Sequence, residues 1–206
     1  MPVIGITGGI ASGKSTVARL LISHLSASYR KEVKFFSADA YNHELLEKDP
    51  VVREEIIAYF GNKVVGENGR IDRTLLGQVV FAEISSRKAL ESILHPKIRE
   101  EWITKSKQFR LGKQYFVAEI PLLYETQCDS YFDCIVVVEA DTQVQLERLS
   151  LKRGLSLEMA RQVIAAQLSS QEKMQRADIL ILNDHTEKLL HHQIELAARA
   201  LLMRYA

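Results

Sequence analysis

The sequence predicts an α/β fold in which helices flank a five-stranded parallel sheet. Two observations lead to this prediction: short apolar runs alternate with longer stretches of helical spacing, and the runs Ile135–Val138 and Ile179–Leu182 are continuous. Strands of a parallel sheet are buried on both faces, so their sequences do not alternate between apolar and polar residues. The predicted strands are Val3–Ile6, Val33–Phe36, Tyr115–Ile120, Cys134–Val138 and Ile179–Leu182.

The segment from Gly8 to Ser15, directly behind the first strand, has the spacing of a phosphate-binding P-loop. Its glycines let backbone N–H groups turn towards phosphate oxygens, and the following helix points its positive end at the same anion. Lys14 would reach the β- and γ-phosphates, and the Ser15 hydroxyl would be a ligand of Mg²⁺. A loop without function is the alternative, which the flanking strand and helix disfavour. The expected ATP-binding residues of this P-loop NTPase fold are Gly9, Ile10, Ala11, Ser12, Gly13, Lys14, Ser15 and Thr16.

The remaining elements predict one P-loop domain with two additions. The core covers about residues 1–48, 115–147 and 170–206, and a mostly helical insertion covers about 49–114. An insertion at this point of a P-loop kinase commonly holds the phosphate acceptor, so we expect a substrate-binding subdomain. A last helix from about Thr186 to Arg204 should pack an apolar stripe against the sheet.

Composition favours an ordinary globular enzyme. The 206 residues are 47% hydrophobic and 26% charged, with a net charge of +1. This neutral balance gives no general case for nucleic acid as a partner. Cys128 and Cys134 are too few for a disulfide framework and indicate a reducing compartment. The sequence shows no leader pattern and no apolar run near the roughly 20 residues that span a bilayer, so we expect no membrane partner and a cytoplasmic location.

A P-loop occurs in GTPases, motors and small-molecule kinases, and the rest of the chain favours a kinase. The one Asn-Lys pair, Asn62-Lys63, lacks the following aspartate that reads guanine. Asp39, just after the second strand, places a carboxylate at the sheet edge where ligands bind. It is suited to orient an attacking hydroxyl or accept its proton. The alternative role for Asp39 is a helix N-cap.

Taken together, the motifs resemble the dephospho-CoA kinases, which use ATP to phosphorylate the 3′-hydroxyl of the dephospho-CoA ribose. The resemblance covers nearly the whole chain. It rests on the segments Ile6–Ser15, Ala38-Asp39, Gly69–Arg73, Val80-Phe81, Leu94–Pro96, Ile120–Glu125, Gln145–Arg148, Gln167 and Ala177–Asn183. It implies ATP and dephospho-CoA as partners and Mg²⁺ as cofactor.

The resemblance also implies roles for residues around the nucleotide. Asp39, Lys14 and Arg148 would be catalytic, with Arg148 neutralising charge on the transferring phosphoryl group. Glu119 would support the metal through a bound water. Asn183 falls where the family's adenine-side loop lies. A lid is expected at about residues 148–169, where a Ser156-capped helix resembles the lid of small kinases.

For the acceptor, the resemblance implies contacts by Thr7, Asp39, Arg73, His95, Arg99 and Leu122. His95 belongs to the family's His-Pro element, and its alternative role is a cap or a core hydrogen bond. Arg73 and Arg99 could equally be solvated helix charges.

Three positions depart from the family pattern. Ala11 replaces a usual glycine, Ser37 stands where an aspartate is general, and His43 stands where an arginine is common. Two rival functions stay open at this point: another small-molecule P-loop kinase, such as a nucleoside monophosphate kinase, and an ATP-binding regulatory protein. A monomer or a small homo-oligomer is expected.

Overall fold

Five parallel strands form the predicted sheet. The computed structural model describes residues 2–28, 30, 32–110 and 114–205, without the side chains of residues 28, 81, 82, 84, 152 and 153. The strands are β1 (Val3–Gly8), β2 (Val33–Ser37), β3 (Tyr115–Glu119), β4 (Cys134–Glu139) and β5 (Ile179–Leu182), in the spatial order β2-β3-β1-β4-β5. All five predicted strands are confirmed, with ends that differ by up to two residues.

The register of the strands gathers polar residues at one edge of the sheet. Ile6 of β1 pairs with Glu119 of β3, and Ser37 of β2 pairs with the same glutamate. Gly8, the last residue of β1, pairs with Val138, which precedes Glu139 in β4. The carboxyl ends of parallel strands therefore meet at this edge, which is where ligands of such sheets bind.

Helices connect the strands. In chain order they are α1 (Lys14–Ser23), α2 (Ala38–Lys48), α3 (Pro50–Phe60), α4 (Arg73–Ala82), α5 (Ile84–Arg110), α6 (Thr142–Arg153), α7 (Leu157–Ala165), α8 (Ser170–Gln175) and α9 (Glu187–Arg204). A π-helical turn, His24–Ser28, extends α1. The apolar stripe predicted for the last helix is confirmed, since Leu190, Ile194, Ala197 and Leu201 are all buried in the core cluster around the sheet.

The chain divides into two compact units, Met1–Ser37 with Ser106–Ala206, and Ala38–Lys105. The second unit has its own apolar core, which includes Leu45, Val52, Ile56 and Leu94. Within it, Asp49 caps α3 by accepting hydrogen bonds from two backbone N–H groups, and Asp72 caps α4 in the same way. Gly61 and Gly69 have φ angles of 74° and 72°, a left-handed conformation that favours glycine at a turn.

Helix α5 continues through Pro96 for a total of 27 residues. Proline has no N–H group, so the bond that this position would make to the carbonyl of Ser92 is missing. A proline inside a helix normally marks an end at the preceding residue. Here His95 and Arg99 lie on one continuous helix, four positions apart, and therefore share a face.

Both cysteines are buried free thiols. Cys128 is 2% exposed and Cys134, at the start of β4, is 1% exposed. Burial raises the pKa of the Cys134 thiol to about 12. Among the described residues, the helices lack the length and apolar character needed to cross a membrane.

Candidate active site

The loop between β1 and α1 has the geometry of an anion cradle. Gly13 is the N-cap of α1 with a φ of 93°, a left-handed conformation that favours glycine. A Cβ at this position would lie 2.1 Å from the amide nitrogen of Asn183, so a larger residue would also clash. The N–H groups of the first helical turn have no carbonyl partner within the helix. The start of α1 is thus prepared for an anion.

Lys14 places its positive charge inside this loop. The side chain is buried, and Nζ donates to the carbonyl oxygens of Gly9 at 2.8 Å and Gly8 at 3.3 Å. These carbonyls are neutral acceptors, so they hold the ammonium group without cancelling its charge. A phosphate bound in the loop would be a negatively charged acceptor for the same ammonium group.

Ser15 and Glu119 form an oxygen-rich pair at the sheet edge. The Ser15 hydroxyl donates to Glu119 Oε1 at 2.7 Å, and Glu119 is only 3% exposed. Hydroxyl and carboxylate oxygens are the donors that Mg²⁺ prefers, so the two residues fit this ion. The described residues contain no cluster of three His, Cys, Asp or Glu side chains that could hold a metal.

The structure brings Arg148 and Asn183 to the loop. Arg148 Nη1 donates to the carbonyls of Ala11 at 3.1 Å and Ser12 at 3.3 Å, and Nη2 donates to that of Asn183 at 2.8 Å. Asn183 Nδ2 donates to Ser12 O at 2.7 Å. In a trans peptide the C=O and N–H groups point in opposite directions. These bonds therefore aim the Gly13 N–H away from Arg148.

Ala11 stands where the family usually has glycine, and its backbone has a conformation that favours glycine. Its φ is 58°, in the left-handed region, which costs an L-residue about 1 kcal/mol. Its methyl group packs against an apolar cluster made by Leu146, Leu149 and Ala160 of α6 and α7. The side chain thus makes a contact that glycine would lack, and this contact joins the loop to the predicted lid.

The predicted lid contains a turn and a capped helix. Gly154, with a φ of 64°, ends α6, and the Ser156 hydroxyl accepts from Met159 N–H at 3.2 Å to cap α7. The Ser156 cap is therefore confirmed. Ile10 of the phosphate loop belongs to the same apolar cluster as Ile164 of α7.

Thr7 and Leu122 are joined through the turn that follows β3. Thr7 is fully buried in β1, and its hydroxyl donates to the carbonyl of Pro121 at 3.1 Å. Leu122, the next residue, is half-buried. The hydroxyl of Thr7 thus has a partner within the protein. A contact between Thr7 and the substrate that accepts the phosphoryl group stays a prediction.

Asp39 belongs to the second unit. It lies two residues beyond Ser37, the last residue of β2, inside the first turn of α2, and its side chain is exposed. The alternative that it caps the helix is wrong, because the helix begins at Ala38. A carboxylate in a first turn is stabilised by the helix dipole.

Arg73, the first residue of α4, contacts His43. Its Nη2 lies 2.8 Å from the Nε2 of His43. A guanidinium only donates hydrogen bonds, so this imidazole nitrogen is the acceptor. Both residues line a cavity of about 300 Å³ together with Leu46, Glu47, Asn68, Arg70 and Ile71.

His95 and Arg99 lie in the interior of α5. A cap role for His95 is wrong, because the helix extends eleven residues before it and fifteen after it. Arg99 is exposed, whereas His95 is partly buried, and burial lowers the pKa of its imidazole below the ordinary value. A neutral ring offers one donor and one acceptor to its surroundings.

The pKa of His95 predicts a loss of stability in acid. The unfolded state binds the proton near the ordinary pKa of about 6.5, whereas the folded state binds it at a lower pH. Stability from this residue is thus present above about pH 6.5 and falls as the pH drops towards the folded pKa. The difference in free energy of unfolding between parent and His95→Gln should therefore shift in favour of the variant on acidification, as measured by urea unfolding. A pH-independent difference would contradict this, and the exposed His192→Gln serves as control.

Sequence reasoning missed Glu139 as a site residue. Glu139 is 2% exposed, and its Oε1 accepts from the Gly9 N–H at 3.0 Å. A signal was available, since Glu139 is a charged residue directly after the apolar run Ile135–Val138. Its partner in the loop could not be read from that pattern.

Comparisons with known proteins agree with this geometry. The family model of dephospho-CoA kinases matches residues 2–188. The dephospho-CoA kinase of Symbiobacterium thermophilum is 41% identical over 97% of this chain and 81% of its own length. That of Fusobacterium nucleatum is 36% identical over 94% of this chain and 95% of its own.

Solved structures give the same result. The Thermus thermophilus protein TT1252 superposes with a TM-score of 0.73 at 32% identity, covering 100% of this chain and 98% of its own. A dephospho-CoA kinase from Campylobacter jejuni has a TM-score of 0.68 at 26% identity, covering 97% and 96%. A shikimate kinase from Bacteroides thetaiotaomicron, at 14% identity and a TM-score of 0.51, shares the fold alone. The fold, the loop and these relatives together show that the chain is a kinase and belongs to the dephospho-CoA kinase family.

Proposed function

We propose that this chain transfers the γ-phosphoryl group of ATP to the 3′-hydroxyl of the dephospho-CoA ribose, which yields coenzyme A and ADP. The observation that carries the proposal is the phosphate loop, in which the buried ammonium of Lys14 is held by neutral carbonyls at the start of α1. Membership of the family supplies the identity of the acceptor.

The triphosphate would lie across the loop and the first turn of α1. Backbone N–H groups of Gly13, Lys14 and Ser15 would face its oxygens, and Lys14 would leave its carbonyl partners to bridge the β- and γ-phosphates. Arg148 and Asn183 support this arrangement by holding the carbonyls of the loop. Arg148 is also the cation proposed to stabilise charge on the transferring group, for which its guanidinium would have to leave these carbonyls.

Ser15 and Glu119 would hold Mg²⁺, Ser15 as a direct ligand and Glu119 through water. When bound, the ion would neutralise negative charge on the phosphate oxygens. The donor set fits because both oxygens already lie 2.7 Å apart at the sheet edge.

Asp39 would orient the 3′-hydroxyl for in-line attack and accept its proton. Phosphoryl transfer has a loose transition state, so positioning contributes more than strong deprotonation. The support for this role is the place of Asp39 in the chain, two residues after the carboxyl end of β2, together with the family pattern.

The acceptor would be bound by the residues that the resemblance assigned, namely Thr7, Arg73, His95, Arg99 and Leu122. The cations suit the diphosphate of dephospho-CoA, and the neutral ring of His95 suits a hydroxyl or amide. We also propose a cytoplasmic location, supported by the two free thiols.

An ADP-release assay with Mg²⁺·ATP and a panel of acceptors tests the proposal. The panel is dephospho-CoA, adenosine, AMP, CMP and no acceptor, with the product mass checked. Mass gain of one phosphate on dephospho-CoA alone is the expected result. Transfer to a nucleotide would favour a nucleoside monophosphate kinase, and ATP binding without any transfer would favour a regulatory protein.

Replacing Glu119 by glutamine should raise the Mg²⁺ concentration for half-maximal activity by roughly 10-fold to 100-fold, the range seen when residues that support a metal are removed. Glutamine keeps an oxygen that can accept from Ser15, so the fold should persist. A Mg²⁺ titration at saturating ATP measures the effect, with the exposed Glu54→Gln as control. An unchanged titration curve for Glu119→Gln would remove this residue from the metal site.

A further inference from the structure

Two backbone N–H groups of the phosphate loop are bound by side chains from distant parts of the chain. Gly9 N–H donates to Glu139 Oε1 at 3.0 Å, and Ile10 N–H donates to Gln167 Oε1 at 2.9 Å. Glu139 ends β4, whereas Gln167 lies between α7 and α8, near the C-terminal end of the predicted lid. We call residues 167–170 the lid exit. Side chains from outside the loop thus hold its first half in place.

Glu139 links this end of the loop to the lid exit a second time. Its other oxygen, Oε2, accepts from the Ser170 hydroxyl at 3.0 Å and from Gln145 Nε2 at 3.4 Å. A Cβ on Gly9 would lie 2.5 Å from Gln145 Nε2 and 2.9 Å from Glu139 Oε2. The absence of a side chain at Gly9 is therefore what allows this buried carboxylate to reach the loop.

The segment between these contacts is anchored on its other side. Leu168 N–H donates to Glu125 Oε1 at 3.0 Å, and the same oxygen lies 2.9 Å from Nζ of the fully buried Lys173. Gln167, Leu168 and Ser170 are consecutive or nearly so, and each makes a contact to a different element. All of these bonds form together only when residues 167–170 lie in this one position, which we call seated.

We propose that Gln167 is a positioning residue of the nucleotide site, which with Glu139 and Ser170 latches the exit of the lid onto the phosphate loop. The Ile10 N–H bond exists only while residues 167–170 are seated. The loop shape that receives phosphate and the seated lid exit are therefore one state, and a ligand that stabilises one stabilises the other. This rests on the proposed function in one respect, that the loop binds ATP.

The chemistry of Gln167 suits this role. Its amide oxygen is a neutral acceptor, so it can hold a loop N–H without bringing negative charge near the phosphates. Gln167→Glu would keep the acceptor and add that charge, whereas Gln167→Met would keep the length and remove the acceptor. Gln162 on the exposed side of α7 offers a matched control, Gln162→Met.

The test combines binding of Mg²⁺·ATP without acceptor, the urea midpoint and amide hydrogen exchange of residues 157–175. Gln167→Met should weaken ATP binding by about fivefold to tenfold, the size of one neutral hydrogen bond, with a nearly unchanged midpoint. ATP should slow exchange in residues 157–175 of the parent and of Gln162→Met, but much less in Gln167→Met. Gln167→Glu should weaken ATP binding at least as much. Ser170→Ala should show the same pattern with a smaller loss.

Parent-like affinity and parent-like protection in Gln167→Met would overturn the latch. A lowered midpoint with the protection by ATP intact would also overturn it, because that is the result of a merely structural role. If the parent itself fails to bind ATP, the proposed function fails. Exchange without nucleotide then decides the latch separately, since Gln167→Met should still speed exchange of the Ile10 amide and of residues 167–170.

Discussion

Replacing Asp39 by asparagine should lower kcat by about 10²- to 10⁴-fold, the contribution usual for a positioned acid–base group. The affinity for Mg²⁺·ATP should stay close to that of the parent, because the proposed partner of Asp39 is the acceptor hydroxyl. Steady-state ADP release with dephospho-CoA gives kcat, and a separate titration gives the ATP affinity. Because Asp39 is exposed in a first helical turn, the variant should fold like the parent.

Two further variants are needed to interpret the loss of kcat in Asp39→Asn. Glu54→Gln removes an exposed carboxylate from the same unit and should behave like the parent. Asp39→Ala removes the oxygen that asparagine retains, so a greater loss in alanine than in asparagine would separate orientation from proton transfer. Equal activity of Asp39→Asn and the parent would remove Asp39 from the reaction.

Replacing Lys14 by alanine should impair both ATP binding and turnover. The ammonium is proposed to contact the phosphates in the ground state and the developing charge in the transition state, so kcat should fall by about 10²- to 10³-fold and the KM for ATP should rise. Arginine should not restore activity, because a planar fork does not replace a compact point charge in this loop.

Lys14→Ala has a structural effect that needs its own control. The carbonyls of Gly8 and Gly9 lose a donor, so the urea midpoint of the variant must be compared with that of the parent. Lys188→Ala, on the exposed start of α9, is the matched lysine control. A variant that loses turnover but keeps parent-like ATP affinity would contradict a ground-state contact by Lys14.

The sheet and the phosphate loop could be predicted because local sequence determines them. A strand buried on both faces must be apolar throughout, as in Ile135–Val138, and the P-loop needs glycine where φ is positive, as at Gly13. Helix caps are local as well, so Ser156 could be identified from its own neighbourhood.

The contacts around the loop could not be predicted in the same way. Glu139 and Gln167 bind loop N–H groups that lie 130 and 157 positions away in the chain, and only the packed fold brings them together. The three carbonyl partners of Arg148 depend likewise on where α6 and the end of β5 lie. The charge and position of Arg148 were visible in the sequence, whereas its orientation was not.

Pro96 illustrates the limit of local rules inside the second unit. Proline predicts a helix end, yet α5 continues to Arg110. One missing backbone bond is a small loss beside the burial of side chains such as Leu94 and Trp102 along the same helix. Tertiary packing therefore outweighs the local preference at this position.

The burial of both cysteines makes this chain well suited to site-specific labelling. Thiol reagents need a thiolate that solvent can reach. The thiol of Cys134 is buried, and this burial raises its pKa to about 12, so it is neither accessible nor ionised at neutral pH. Cys128 is equally enclosed. Single cysteines introduced as Glu54→Cys and Lys188→Cys can thus carry a fluorophore pair without removal of the native residues. Energy transfer between them would measure the distance between these two positions with and without ATP and the acceptor.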